Sequence, residues 1–195
     1  MSDHLGGSVI DNKTNGDIGT YAPQIWNKLI ELYNPKTVLD IGCGAGYSLK
    51  YFLDKGLDGL GIEGFKEAIE RSPVKGNIIE HDYTTGEYIP ESKFDLGWSC
   101  EFVEHVEEQY LNNFMKSFDV CEYVAMTHAV PGQPGFHHVN CQPKEYWINI
   151  FKDYGFEYLE DISLMLRSLL YDNNGNYLEN GSHVRNTLMI FKKEK

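Results

Sequence analysis

The residues best placed to do chemistry are three glycines and three acids. Gly42, Gly44 and Gly46 form a G-x-G-x-G turn straight after a short apolar run. Glycine there lets the backbone bend tightly and meet a ligand with no side chain in between. Two phosphate-binding readings fail at this loop. A dinucleotide fingerprint, G-x-G-x-x-G, needs glycine where Tyr47 stands, and a Walker A loop needs a Gly-Lys-Ser/Thr ending that is absent. Asp40 precedes the loop, so a pyrophosphate would be repelled and a cationic ligand, such as one carrying an ammonium and a sulfonium, would be attracted. Glu63 follows roughly 20 residues on, the spacing at which a carboxylate accepts from ribose hydroxyls. Asp82, after the next strand, is suited to accept from an adenine amino group.

A second group holds the histidines. His105 follows a fourth strand, while His137 and His138 lie in a loop after a fifth. Imidazole titrates near neutrality and suits a general base, and it serves equally to bind a substrate or brace a loop. A metal ion built from these histidines with Glu101 or Glu104 has no H-x-x-x-H or H-x-E spacing behind it, and none is expected. His81 and His128 read as structural. Trp98 reads as core, Tyr146 and Trp147 as helix packing, and Cys43 and Cys100 as small apolar lining.

These residues need elements to position them. Pro23 opens a helix whose Ile25, Trp26, Leu29, Ile30 and Tyr33 share one face, and Asn34-Pro35 ends it. Thr37–Ile41 reads as the first strand, followed by a helix over 47–55. Further strands are predicted over 57–63, 77–80, 94–100 and 122–127, with helices over 65–71 and 107–118 between them. Repeated strand and helix at this spacing implies a mostly parallel sheet covered on both faces. A Gly- and Pro-punctuated segment over 130–142 leads to a helix over 143–154, ended by Gly155. Two more strands are expected over 156–161 and 187–191. The stretch 163–184 between them reads as an insertion or loop, with a turn at Asp172-Asn173-Asn174-Gly175-Asn176.

Composition sets bounds on all of this. The 195 residues allow one good core, so a single domain is expected: a loose arm and helix over 1–33, a ligand-binding core over 37–161, and the insertion. A formal net charge of −12 opposes a phosphate backbone, and Lys192, Lys193 and Lys195 read as a solvated tail, so nucleic acid is not expected as partner. The widely spaced Cys43, Cys100, Cys121 and Cys141 suggest neither zinc ribbon nor redox pair. No run is long and apolar enough to span a bilayer and no signal peptide is evident, so a cytoplasmic location is expected, with no membrane contact.

The segment Val38-Leu39-Asp40-Ile41-Gly42-Cys43-Gly44-Ala45-Gly46 resembles the first motif of the class I S-adenosylmethionine-dependent methyltransferases. Glu63 and Asp82 match that family's ribose and adenine positions, Phe94-Asp95-Leu96 is similar to its fourth strand, and Glu104-His105-Val106 to the turn of its small-molecule branch. The resemblance implies a Rossmann-like, doubly wound α/β fold with a C-terminal antiparallel strand. It implies S-adenosylmethionine as cofactor, held by Asp40, Gly42, Cys43, Gly44, Gly46, Glu63, Asp82, Tyr83, Ser99 and Cys100. The Asn/Asp-Pro-Pro-Tyr/Phe motif of enzymes acting on base nitrogens or protein glutamine is absent, Ser99-Cys100-Glu101-Phe102 standing there instead. Transfer to a small hydroxylated molecule is therefore implied, with His105, His137 and His138 as catalytic candidates. The run His137-His138-Val139-Asn140 followed by Gln142-Pro143 and Tyr146-Trp147 is similar to a segment in methyltransferases of sugar and surface-polysaccharide pathways.

Two other classes remain open at this point. A non-catalytic module that binds S-adenosylmethionine or a partner would share the fold. A nicotinamide-dependent oxidoreductase is disfavoured by Tyr47 and Asp40.

Overall fold

The computed structural model describes Leu5 and residues 16–194. The expected N-terminal arm thus lies largely outside the described residues, as does Lys195.

Seven strands among the described residues make one sheet in the order β3-β2-β1-β4-β5-β7-β6. The strands are β1 (Thr37–Ile41), β2 (Asp58–Glu63), β3 (Ile78–Glu80), β4 (Phe94–Ser99), β5 (Cys121–Met126), β6 (Phe156–Tyr158) and β7 (Met189–Lys193). All neighbours from β3 to β5 pair in parallel, and β7 inserts antiparallel to both β5 and β6. The chain first builds outward from β1 through β2 and β3, then returns to lay β4 on the other side of β1. That reversal opens a crevice beyond the carboxyl ends of β1 and β4, where ligands of doubly wound sheets bind.

Strand alternation assigns each β1 side chain to a face. Val38 joins a core formed with α1 (Pro23–Tyr33), α2 (Tyr47–Asp54), α6 (Glu160–Ser168) and α7 (Ser182–Thr187), while Leu39 and Ile41 face α4 (Leu111–Phe118) and α5 (Lys144–Asp153). Trp26 and Trp98 anchor the first core with ring centroids 5.8 Å apart at 85°. Such an edge-to-face pair adds about 0.5–1.5 kcal/mol beyond area burial. In the second core Phe151 stacks on Phe191, centroids 4.0 Å apart.

Helix α1 begins with Pro23 in its first turn and ends at Asn34, which takes the left-handed conformation and donates its N–H to the Ile30 carbonyl. The remaining helix, α3 (Lys66–Arg71), covers β2 and β3.

The C-terminal third departs from expectation. Strand β6 stops at Tyr158, and Glu160 and Asp161 occupy the first turn of α6, where carboxylates favour the positive end of the helix. The stretch 163–184, read as insertion or loop, carries most of α6 and the start of α7. Only its middle is a turn, where Asp172 Oδ1 accepts from the amides of Asn174 and Asn176. Lys192 and Lys193 are not a solvated tail either: both belong to β7, and Lys193 pairs with Asp119. No helix among the described residues is long and apolar enough to cross a membrane.

Candidate functional site

A cavity of about 370 Å³ lies over the carboxyl ends of β1, β2 and β4. Its floor is the glycine loop. Gly42, Gly44 and Gly46 all have positive φ (69°, 54° and 73°), a region costly for residues with a Cβ. The reasons for glycine differ along the loop. A Cβ on Gly42 would sit 2.3 Å from the Phe102 ring, so packing forbids it. A Cβ on Gly44 would meet nothing within 4 Å, and this glycine instead bares backbone to the cavity.

Two acids shape the loop, Asp40 buried and Glu63 half-buried. Glu63 Oε2 accepts from the Gly44 amide (2.7 Å) and Oε1 from the Phe65 amide (2.7 Å), so one carboxylate ties the end of β2 to the loop after β1. Burial raises its pKa, and the backbone donors work against that rise. Asp40 is 1% exposed and accepts from Ser48 Oγ at 2.5 Å. Burial pushes its carboxyl up to about 7, with the Ser48 bond opposing and the nearby Glu63 charge adding to the rise. Asp82 accepts from the Thr84 amide and hydroxyl, both at 2.8 Å, which aims the turn after β3 at the cavity.

Of the residues predicted to hold the cofactor, Asp40, Gly42, Cys43, Gly44, Gly46, Glu63, Asp82, Tyr83 and Cys100 all line this cavity. Ser99 does not. It is 1% exposed and its hydroxyl donates to the Ile41 carbonyl (2.8 Å), joining β4 to β1. Tyr83 offers the cavity its ring, because its hydroxyl is bonded to Ser117 Oγ (2.7 Å). Burial drives the thiols of Cys43 and Cys100 well above their ordinary pKa, which keeps them protonated and apolar.

The histidines meet at the far end. His105 closes the turn Val103–His105 after β4, and its ring lies 5.0 Å from that of His138. Both line the cavity, whereas His137 lies in a recess of about 250 Å³ on the other side of His105, with Thr84, Glu107 and Tyr110. Burial, then the two neighbouring histidines, lower the His105 pKa to about 4, so its imidazole is neutral at physiological pH. The loop after β5 is held against this turn because the Glu104 carbonyl accepts from the amides of Val139 (2.9 Å) and Asn140 (3.1 Å). The Glu104 side chain is fully buried, and neither carboxylate oxygen has a hydrogen-bond partner among the described residues. Burial and then the Glu101 carboxylate raise its pKa well above the usual range. Glu101 itself has a φ of 53°, a strained value for a residue bearing a side chain.

In the sequence, two residues at the cavity, Asp17 in its lining and His183 beside it, carry no local sign of their place. Asp17 and Glu101 line it, and His183 from α7 stands between them, its Nδ1 3.1 Å from Glu101 Oε2 and its Nε2 3.7 Å from Asp17 Oδ2. His183 gets there because α7 precedes a strand that pairs with β5, a long-range fact no local pattern carries. His81 lines the cavity while bonded to the Gly86 carbonyl (3.0 Å), and His128 lies outside it. Trp147 is fully buried core, as expected.

A doubly wound sheet with one antiparallel strand, a glycine loop after β1 and acids at or just past the carboxyl ends of β1, β2 and β3 defines a nucleoside-binding domain of the methyltransferase type. Residues 19–161 match the methyltransferase domain family, and the chain belongs to that family. It is an S-adenosylmethionine-dependent methyltransferase. Solved structures agree on the fold. Magnesium protoporphyrin IX methyltransferase from Synechocystis PCC 6803, with bound SAM, is 12% identical with a TM-score of 0.60, covering 88% of this chain and 76% of that one. The methyltransferase domain of bacterial CtHen1 is 18% identical with a TM-score of 0.58, covering 90% of this chain and 100% of its own. TehB from Haemophilus influenzae is 16% identical with a TM-score of 0.58, covering 89% and 63%. No curated protein matches the sequence.

Proposed function

We propose that the chain transfers the methyl group of S-adenosylmethionine to an oxygen of a small hydroxylated metabolite, a sugar or surface-polysaccharide precursor being the class that fits best. The observation that carries this reading is the charge and polarity of the cavity. Asp17, Asp40, Glu63, Asp82 and Glu101 line it against a single cation among the described residues, Arg71. That field welcomes a sulfonium donor and repels a phosphate backbone, as does the net charge of −12. The neutral His105 imidazole, with His138 beside it, supplies hydrogen-bonding groups at the end beyond β4, where an acceptor hydroxyl would face the methyl group.

In this reading Glu63 accepts from the ribose hydroxyls, Asp82 from the adenine amino group, and the bared backbone at Gly44 meets the cofactor directly. Cys43, Cys100 and the Tyr83 ring give the adenosine its apolar walls. Methyl transfer from a sulfonium needs chiefly an in-line nucleophile freed of its proton, and the histidines after β4 and β5 stand where that proton would leave. The four free cysteines fit a reducing, cytoplasmic compartment.

The test has two stages. S-adenosylhomocysteine is expected to raise the melting temperature with the logarithm of ligand excess, and no rise at saturation would overturn the cofactor site. Labelled S-adenosylmethionine should then pass its methyl group to the small-molecule fraction of an extract, with free and nucleotide-linked sugars tried first. Label found in nucleic acid or protein instead would overturn the acceptor class.

A further inference from the structure

The acceptor end of the cavity holds a set of groups that the cofactor does not account for. Glu104, His105 and His138 each direct one ligand atom into a common volume, and these atoms all lie within 4.8 Å of one another. Two come from the turn after β4 and one from the loop after β5, which the Glu104 carbonyl holds in place through the Val139 and Asn140 amides.

Two of the three residues also have unmet demands. Both oxygens of the fully buried Glu104 carboxylate lack a partner among the described residues, and so does the buried Nδ1 of His105. An orphaned buried polar group costs about 1–3 kcal/mol, and a charged one more. A fold that keeps two such groups side by side gains a great deal from whatever satisfies both. The groups nearest the Glu104 carboxylate are its own amide and the Glu101 carboxyl, and neither makes a hydrogen bond of full geometry with it.

We propose that Glu104, His105 and His138 form a binding site for a divalent transition-metal cation at the acceptor end of the methyl-donor cavity. Two imidazoles and one carboxylate favour zinc, cobalt, manganese or iron over magnesium or calcium, which prefer all-oxygen shells. Donors sharing one ion at about 2.0–2.2 Å lie about 3–4 Å apart, so the three side chains must close in by roughly an ångström, within reach of χ rotation. Glu101 then becomes a favourable neighbour, because its charge balances the cation. Three protein ligands leave coordination positions open, and these face the cavity where an acceptor oxygen would bind. The role of the ion in methyl transfer rests on the functional reading above, with the two imidazoles then acting through the ion in place of taking the proton themselves, but the binding itself does not. The proposal reverses the expectation of no metal drawn from sequence spacing, because the third ligand arrives from a distant loop that no spacing motif announces.

The test uses the full chain, stripped with chelator and dialysed. Cobalt(II) is titrated calorimetrically and by visible absorption, with zinc, manganese and magnesium compared. S-adenosylhomocysteine binding is measured in the same preparation. One cobalt per chain with imidazole-type absorption is expected, with affinity falling by about 100-fold or more in both Glu104→Gln and His138→Ala. The isosteric Glu104→Gln retains packing, and His138→Ala lies in a partly exposed loop, so either variant decides the matter if the other fails to fold. The proposal is overturned if no transition metal binds while S-adenosylhomocysteine still does. It is overturned equally if both variants bind cobalt as well as the unaltered chain, or if magnesium binds more tightly than cobalt. Metal binding without S-adenosylhomocysteine binding would uphold the metal site and bring down the cofactor reading instead.

Discussion

Asp40 should make the protein less stable as pH rises, and removing its charge should reverse that. Its carboxyl is fully buried and titrates at about 7 rather than the ordinary 3.8, chiefly through burial. The folded chain therefore holds a proton that the unfolded chain has released, at every pH between those values. Stability falls with pH wherever the folded state binds more protons, so it should decline from about pH 4 to about pH 7 and then level off. At about 1.4 kcal/mol per pH unit the full difference is about 4 kcal/mol, a large share of the 5–15 kcal/mol that typical domains possess. Asp40→Asn keeps an acceptor for the Leu49 amide and can donate to Ser48 Oγ, so it retains the hydrogen bonds without the charge. The variant should be flatter across this window and about 2–4 kcal/mol more stable at pH 8. For a chain of this size that is about 5–15 °C in melting temperature. It should also bind S-adenosylmethionine more weakly, because a cationic ligand is what makes the ionised carboxylate worth keeping. Denaturant melts of both proteins from pH 5 to pH 9, followed by tryptophan fluorescence, measure the effect. Parallel pH profiles, or an Asn variant less stable at pH 8, would refute the reasoning.

Three further substitutions probe the cavity floor. Glu63→Ala should weaken S-adenosylhomocysteine binding by about 1–3 kcal/mol in calorimetry, because the ribose acceptor and the Gly44 amide bond go together; unchanged affinity would place the ribose elsewhere. Gly44→Val puts a branched side chain into open cavity at a φ of 54°, so cofactor affinity should fall more than tenfold while the fold persists at a cost of about 1–2 kcal/mol. Normal affinity in that variant would contradict the loop assignment. Ser99→Ala should do the opposite, losing about 1 kcal/mol of stability with its Ile41 bond and nothing in cofactor affinity; a binding defect without a stability loss would return Ser99 to the cofactor site.

What could be read from the chain in advance was whatever depends on neighbours in sequence. Asp40, Glu63 and Asp82 each end or follow a strand, and parallel pairing brings successive strand ends together without further information. Ser99, expected at the cofactor, does not line the cavity: the hydroxyl at the last position of β4 bonds to β1, and Cys100 is the first residue after it to line the cavity. Helix α6 went unseen because Phe156 through Asp161 was read as one strand, although Glu160 and Asp161 carry the acidic signature of a helix start. The His105–His138 contact and the arrival of His183 depend on cross-chain hydrogen bonds and on the insertion of β7 beside β5, neither of which leaves a periodic trace.

The buried carboxyls explain one another. Asp40, Glu63 and Glu104 all titrate above their ordinary range, in each case chiefly through burial, and Asp40 and Glu63 line the same cavity. A chain shaped by stability alone would have replaced them with apolar side chains of similar volume, which is often neutral or favourable at buried ionic positions. Placed together, they destabilise the free protein wherever they are ionised, and a bound cation relieves that cost without protonating them. Asp40 and Glu63 lie by the glycine loop, where in the proposed function the sulfonium and ammonium of the cofactor would supply positive charge. Glu104 lies beyond β4 among two imidazoles, outside the cofactor's set of partners, and needs a positive charge of its own. The stability lost at each end is thus coupled to a different ligand, so saturating the cofactor site should leave the demand at Glu104 unmet.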